Sequence, residues 1–313
     1  MSLLLVCSGG GHLKQLHELV DRLPLPSAER TWVTFDTGLS RGLLAGEDVV
    51  HAPYAAPRDV AGIARNALLA VRVLRRQRWS AVVSTGSSLA VDFLPLAAAR
   101  GVPSYFIETA ARATGPSLTG RLLRHAPGVA TYTQYPGWAD ERFRYAGSIF
   151  DGFAPAEPVA PAPLRSAVVS LGTTESYGFR RMVEALAPLL RGVRTTWQTG
   201  VTDVSGLGID AREAVPHGEL VAAVAEADVV VAHSGTGAAL TAMEAGRCPV
   251  LVPRLARHGE HVDDHQVQIA AELAGRDLAV AAAPEDLDAD LLATAARRRV
   301  ARVSQPPPLR LER

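Results

Sequence analysis

The stretch Asp228–Gln266, DVVVAHSGTGAALTAMEAGRCPVLVPRLARHGEHVDDHQ, decides the reading of this chain. Val229–Ala232 is apolar on both faces, as a strand inside a parallel sheet must be, and it runs into a turn of small residues followed by a helical pattern. In that turn Ser234, Gly235, Thr236 and Gly237 leave backbone N–H groups free at a helix N-terminus. There the macrodipole favours an anion and small side chains let a phosphate approach. Glu244 comes about two helical turns later, within reach of a ribose hydroxyl pair if the turn holds a diphosphate. Asp264 and Gln266 offer a carboxylate and a donor–acceptor amide to a sugar. Strand, small turn, helix and distal carboxylate describe a nucleotide site. An ordinary strand–helix connection with a solvated glutamate is the alternative.

The same alternation runs outward through the chain. Strand-like runs at 3–6, 32–35, 81–84, 104–107 and 130–133, then at 167–170, 195–198, 229–232, 250–252 and 278–280, are each followed by a helical pattern. Between the two sets lies 151–164, DGFAPAEPVAPAPL, whose four prolines hold it extended. The expected fold class is α/β, with doubly wound Rossmann-like domains over 1–150 and 165–303, a linker over 151–164, and a tail over 304–313 with no periodicity to order it. Two such domains facing across a cleft make the GT-B architecture, with ligands at the carboxyl ends of the strands.

The first strand opens into Cys7–Leu23, CSGGGHLKQLHELVDRL, where glycines 9–11 form a tight turn and Leu13, Leu16, Val20 and Leu23 the apolar stripe of a helix. His12 stands at the helix start, where the dipole keeps imidazole neutral and fit to accept a proton. A glycine turn with a histidine that merely flanks the cap explains the same residues equally well. In the second half, SLGTTESYGF places Gly172, Thr173 and Thr174 after the first strand, where their N–H and hydroxyl groups suit a diphosphate.

Length and composition set the bounds. A chain of 313 residues, 48% hydrophobic, can furnish two cores. The formal charge is zero, and residues 1–155 carry 16 Lys and Arg against 12 Asp and Glu, too mild an asymmetry for a nucleic-acid partner. The two cysteines, Cys7 and Cys248, do not suggest a disulfide framework. No run reaches 18 apolar residues and no signal peptide opens the chain, so the expected place is the cytoplasm, in solution or peripheral on the inner membrane face. From Val60 to Val91 there is no acidic residue, while Arg65, Arg72, Arg75, Arg76 and Arg78 share a helical pattern with Ile63, Leu69, Val73 and Leu74. Such a helix can lie on an anionic leaflet, or pack on its own sheet with a solvated arginine face. His258, His261 and His265 with Asp263 and Asp264 lack the firm spacing of a zinc site and no DxD pair suggests a magnesium clamp, so neither metal nor cofactor is expected.

HSGTG, MEAG, PVLVP and HQ, in that order, resemble the C-terminal half of glycosyltransferase family 28, whose members use nucleotide-sugar donors, most often UDP-sugars. The GGH turn resembles the same family, whose peptidoglycan-precursor members have a candidate base there, which implies His12 as base and Gly10 and Gly11 on the acceptor side. TWQTG at 196–200 and VPHGEL at 215–220 match segments that lie near the nucleotide in relatives. Residues 105–137, YFIETAARATGPSLTGRLLRHAPGVATYTQYPG, resemble the acceptor-side subunit of the dolichol-pyrophosphate N-acetylglucosaminyltransferase: a glutamate after a strand, an arginine, a Ser-Leu-Thr-Gly run and a later Gln-X-Pro. The chain is thus similar to both subunits fused in acceptor-then-donor order, and to bacterial exopolysaccharide glycosyltransferases. Arg121 stands where lysine is usual, and the relative's membrane anchor is absent. The resemblance implies Glu108 in the cleft, orienting His12 or binding acceptor hydroxyls, and Arg112 and Arg121 on an acceptor diphosphate; solvated loop residues are the alternative. The expected reaction is inverting transfer from a UDP-sugar, most often N-acetylglucosamine, to a lipid-linked or polysaccharide-precursor acceptor. A small secondary metabolite as acceptor, a UDP-sugar 2-epimerase of the same architecture, and a non-catalytic nucleotide-sugar binder remain alternatives.

Overall fold

The computed structural model describes residues 2–25, 29–55, 60–172 and 177–311. It divides into two compact units, the chain to Asp151 together with the chain from Pro306, and Gly152–Gln305. Each is a parallel sheet with helices, as runs apolar on both faces require.

The first unit holds strands β1 (Ser2–Cys7), β2 (Arg30–Phe35), β3 (Asp48–Ala52), β4 (Trp79–Gly86), β5 (Ser104–Ile107), β6 (Val129–Thr133) and β7 (Phe143–Tyr145), with helices α1 (Gly11–Leu19), α2 (Gly38–Leu43), α3 (Val60–Leu74), α4 (Ser88–Ala98) and α5 (Leu118–Leu123). The sheet order is β3-β2-β1-β4-β5-β6-β7. All of β1 is buried, and Leu4, Val6, Val33 and Val82 share a core with Val73 of α3, Phe93 of α4 and Leu123 of α5. Strand order reverses between β1 and β4, so the loops after these two strands meet outside their carboxyl ends, where doubly wound folds bind ligands.

The second unit repeats the plan. Its strands are β8 (Phe153–Ala156), β9 (Ser166–Ser170), β10 (Arg194–Gln198), β11 (Ala211–Arg212), β12 (Val229–His233), β13 (Val250–Val252), β14 (Val280–Ala281) and β15 (Arg299–Arg302). Its helices are α6 (Arg180–Leu189), α7 (His217–Glu226), α8 (Thr236–Glu244), α9 (His265–Gly275) and α10 (Ala289–Arg297). The parallel sheet runs β11-β10-β9-β12-β13-β14, with its reversal between β9 and β12.

Two sequence expectations are modified, and a third, open between two readings, is decided. The 151–164 segment is not wholly a linker, because β8 inside it pairs antiparallel with β15. The tail is ordered: Leu309 is 2% exposed, Arg22 donates Nε–H to the Pro307 carbonyl, and the N–H groups of Leu309 and Arg310 donate to the carbonyls of Arg22 and Ala146. A single buried leucine and a few backbone bonds order a segment that no periodicity marks. The α3 helix spends its apolar stripe on the sheet through Ala70, Val73 and Leu74, leaving Arg65, Arg72, Arg75, Arg76 and Arg78 exposed beside or beyond it. Among the described residues, no helix is long and apolar enough to cross a membrane.

Candidate active site

The switch point of the first unit belongs to His12. Gly10 caps α1 at φ 68°, a left-handed conformation that costs glycine little and lets the chain turn sharply out of β1. His12 then lies in the first turn of α1, beside the end of β4. Its Nδ1 is 2.8 Å from the Thr85 carbonyl oxygen, and the Thr85 hydroxyl donates back to the His12 carbonyl at 2.9 Å. A carbonyl can only accept, so Nδ1 carries the proton and Nε2 keeps the lone pair. Burial holds this imidazole below its ordinary pKa, partly offset by the Thr85 carbonyl. Gly86 lets the ring come this close, since a Cβ there would stand 3.0 Å from the imidazole Cε1.

One turn on, Gln15, 2% exposed, ties the helix to the loop after β5. Its amide donates to the Gly11 carbonyl and the Thr109 hydroxyl, and its oxygen accepts the Ala110 N–H at 2.7 Å. Gln134, fully buried, donates to the Glu108 carbonyl and accepts from Ile149 N–H. Gln15 was missed in the sequence, where a glutamine on an amphipathic helix has no visible partner, and Gln134 was marked only as the start of the Gln-X-Pro run.

Glu108 does not open into a cleft as expected. It is 1% exposed, and its carboxylate accepts from Thr109 N–H, Ser117 N–H and the Ser117 hydroxyl, all at 2.9 Å. Burial pushes this carboxyl above its usual range, and the Ser117 N–H is the largest of the contacts pulling it back. Gly120 packs so closely that a Cβ there would meet Glu108 Oε2 at 2.3 Å. The carboxylate pins the loop before α5, because satisfying a buried charge requires those donors. Arg112 is partly buried in that loop, its carbonyl accepting from Trp138 Nε1–H, and Arg121 is exposed on α5.

In the second unit the loops after β9 and β12 meet at the other switch point. Gly235 caps α8 with no side-chain hydrogen bond, so the N–H groups from Thr236 onward compete with no capping side chain. Ser234 is fully buried and its hydroxyl has no hydrogen-bond partner among the described residues. Gly172 has φ 73°; Thr173 and Thr174 lie outside the described residues. What the glycines accommodate here is an imidazole that the sequence reading missed. A Cβ on Gly172 would stand 2.8 Å from His233 Cε1, and one on Gly235 2.3 Å from His233 Nε2. His233 Nδ1 faces the Ser170 carbonyl at 3.2 Å, and burial together with Arg254 lowers its pKa to about 4. The visible signal was a histidine ending a buried strand, immediately before the small turn.

Arg254, 1% exposed, braces this end of the sheet. Its guanidinium donates to the carbonyls of Leu171 (2.7 Å), Tyr177 (2.6 Å) and Glu260 (3.3 Å). Gln266, expected to face a sugar, is 3% exposed and its oxygen accepts the Arg254 N–H. Asp264 is exposed and accepts the Ala256 N–H. Glu244 ends α8, eight residues and about 12 Å along the axis from Thr236, with its carboxylate 3.5 Å from Arg302.

Comparison with known proteins agrees with this fold. Residues 169–304 match the family model of the glycosyltransferase family 28 C-terminal domain. No curated protein matches the sequence. Among solved structures, MurG of Acinetobacter baumannii is 17% identical with a TM-score of 0.58, over 94% of this chain and 88% of that one. The glycosyltransferase SnogD from Streptomyces nogalater is 20% identical with a TM-score of 0.56, over 95% and 92%. The spinosyn forosaminyltransferase SpnP is 15% identical with a TM-score of 0.57, over 94% and 92%. At such identities these likenesses establish the fold, and the family match adds the donor half. Residues 169–304 match a glycosyltransferase family 28 C-terminal domain, and the chain as a whole has the fold of the GT-B glycosyltransferases it is similar to.

Proposed function

We propose that the protein is an inverting glycosyltransferase that moves a sugar, N-acetylglucosamine first among the options, from a UDP-sugar to a hydroxyl of a lipid-linked or polysaccharide-precursor acceptor. The observation that carries this reading is the state of His12: its proton is fixed on Nδ1 by the Thr85 carbonyl, so Nε2 is basic at neutral pH. Nε2 takes the acceptor proton as the hydroxyl attacks the anomeric carbon opposite the leaving group, and the configuration inverts. The departing diphosphate is stabilised by the N–H groups of Thr236 and Gly237 at the start of α8, with Gly172 beside them. Contrary to the sequence expectation, the Ser234 and Gly235 N–H groups are not free but donate to the carbonyls of Val252 and His233. Glu244 is the ribose ligand, exchanging Arg302 for the sugar hydroxyls, and Asp264 and the amide of Gln266 face the donor sugar. Gly10, Gly11, Arg112 and Arg121 serve the acceptor, and Glu108 acts by holding the Arg112 loop in place. The exposed arginines of α3 and after it, with Leu68, Leu118 and Leu122 also exposed, suit contact with an anionic inner leaflet.

A second reading keeps the chemistry and changes the substrates. The spinosyn rhamnosyltransferase SpnG is described with thymidine diphosphate and with an aglycone, which favours a dTDP-sugar and a small acceptor. A thermal-shift series over UDP, GDP and dTDP and their sugars separates the two, since a ligand at a hundred times its Kd adds about 2.7 kcal/mol. UDP-sugars are expected to raise Tm most; a response to dTDP-sugars alone rules out the first reading. UDP release that rises with added acceptor excludes an epimerase.

A further inference from the structure

The loop between β13 and α9 carries five polar residues that the sequence could not sort, and the structure divides them. His258 is exposed and accepts from Arg257 Nε–H. Asp264 turns back to the Ala256 N–H. The other three converge: one ligand atom each from His261, Asp263 and His265 lies within 4.8 Å of the other two. Asp263 Oδ1 is hydrogen-bonded to His265 Nδ1 and stands 3.8 Å from His261 Nδ1. The two imidazoles meet edge to face at 4.6 Å, and Tyr177 stacks on His261 at 5.5 Å, limiting the orientations that ring can take.

We propose that His261, Asp263 and His265 form a binding site for one divalent transition-metal ion of the zinc, cobalt or nickel class. Two imidazole nitrogens and one carboxylate oxygen are a donor set for such ions rather than for magnesium or calcium, which prefer all-oxygen shells. Nitrogen and oxygen ligands about 2.0–2.2 Å from a metal stand about 3.3 Å from one another in a tetrahedron. Closing from the present spacing therefore takes side-chain rotation within a five-residue segment, with the Asp263–His265 hydrogen bond exchanged for two metal bonds. Side-chain exposures of 21%, 38% and 16% leave an entry path from solvent. Three protein ligands leave at least one coordination position open. Both histidines act electrostatically on His233, beside the 234–237 turn. On the proposed function, the open position takes an oxygen of the donor diphosphate. The site revises the expectation, drawn from spacing alone, that this loop holds no metal.

The test titrates untagged, chelator-treated full-length protein with Co²⁺, followed by visible absorption, and with Zn²⁺ by calorimetry. One equivalent with a nitrogen-containing ligand field is expected. Asp263→Asn and His265→Ala should each weaken it about 100-fold or more, while His258→Ala leaves it unchanged, with melting curves confirming that all three fold. Absence of one-site binding, or equal weakening by His258→Ala, overturns the proposal. UDP affinity measured with and without Co²⁺ keeps the readings apart: no UDP binding in either condition counts against the nucleotide site alone, and tighter UDP binding with Co²⁺ supports the open position.

Discussion

His12 in the first unit and His233 in the second occupy corresponding points. Each sits beside the switch point of a doubly wound sheet, and each turns Nδ1–H to a carbonyl at the end of the neighbouring strand, Thr85 at 2.8 Å and Ser170 at 3.2 Å. Each is admitted by glycine, Gly86 for His12 and both Gly172 and Gly235 for His233. The surroundings differ. His12 lies inside a helical turn, its lowered pKa set by burial against one helpful carbonyl. His233 ends a strand with the Arg254 charge close by, and its pKa falls to about 4. Both imidazoles are neutral at neutral pH, and they differ in what stands beside the ring. Burial is the largest cause of the lowered pKa in both rings, and at His233 the Arg254 charge adds to it.

The largest effect expected from breaking this comparison is at His12. His12→Ala should lower kcat by about 10² to 10⁴-fold with UDP affinity nearly intact, and His12→Asn should be equally impaired. Turnover near wild type in either variant would reduce His12 to a turn residue. A pH profile sharpens the point. The base works deprotonated and its pKa is depressed, so activity should fall only as pH drops below 6.5, the ordinary imidazole value.

His233 gives the opposite signature, in stability. Its folded-state pKa lies below the unfolded 6.5, so the unfolded chain binds the extra proton between those values. Stability present above pH 6.5 should be lost as pH falls towards 4, by on the order of 2–3 kcal/mol. His233→Gln should flatten that dependence in urea melts, and an unchanged slope would assign it to other groups.

The glycines come next. Gly235→Ala and Gly172→Ala press on His233 and should each cost about 1–3 kcal/mol of stability and weaken UDP binding. Gly86→Ala, with its Cβ 3.0 Å from His12, should lower turnover and leave UDP binding alone. Equal effects of all three on UDP would erase the distinction between the two sites.

The smallest effect concerns Glu244. As ribose ligand its loss to alanine should weaken UDP about tenfold. Arg302→Ala, which removes only its present partner, should not weaken UDP. If both variants leave the affinity unchanged, the pair is structural.

What was legible in the sequence follows from burial. Every strand inside the two parallel sheets was marked by a strand-like run, apolar on both faces in β1 and β12 and weaker in β10, RTTWQ. The strands that were not marked are β3 and β7 at the edges of one sheet, β11 at an edge of the other, and the pair β8 and β15. An edge strand is solvated on one side, so Asp48–Ala52, DVVHA, carries charge and loses the pattern. The turns at both switch points were visible because small residues between strand and helix have few other uses. Partners were not visible. Glu108 has the sequence of a cleft residue, but Ser117 and Gly120 of the same motif turn it into a buried staple, a contact the spacing contains without showing which groups meet. Likewise nothing near Glu244 announces Arg302.

The measurement that tests the division between base and donor site most directly is NMR of ¹⁵N-labelled histidine during a UDP titration and then a pH titration of the full-length protein. Both rings should show the tautomer with the proton on Nδ1. UDP should shift the His233 resonances and leave those of His12 in place, and both rings should be neutral above pH 6.5, with His233 charging only near pH 4. UDP shifts confined to His12, or either ring already charged above pH 6.5, would contradict the account.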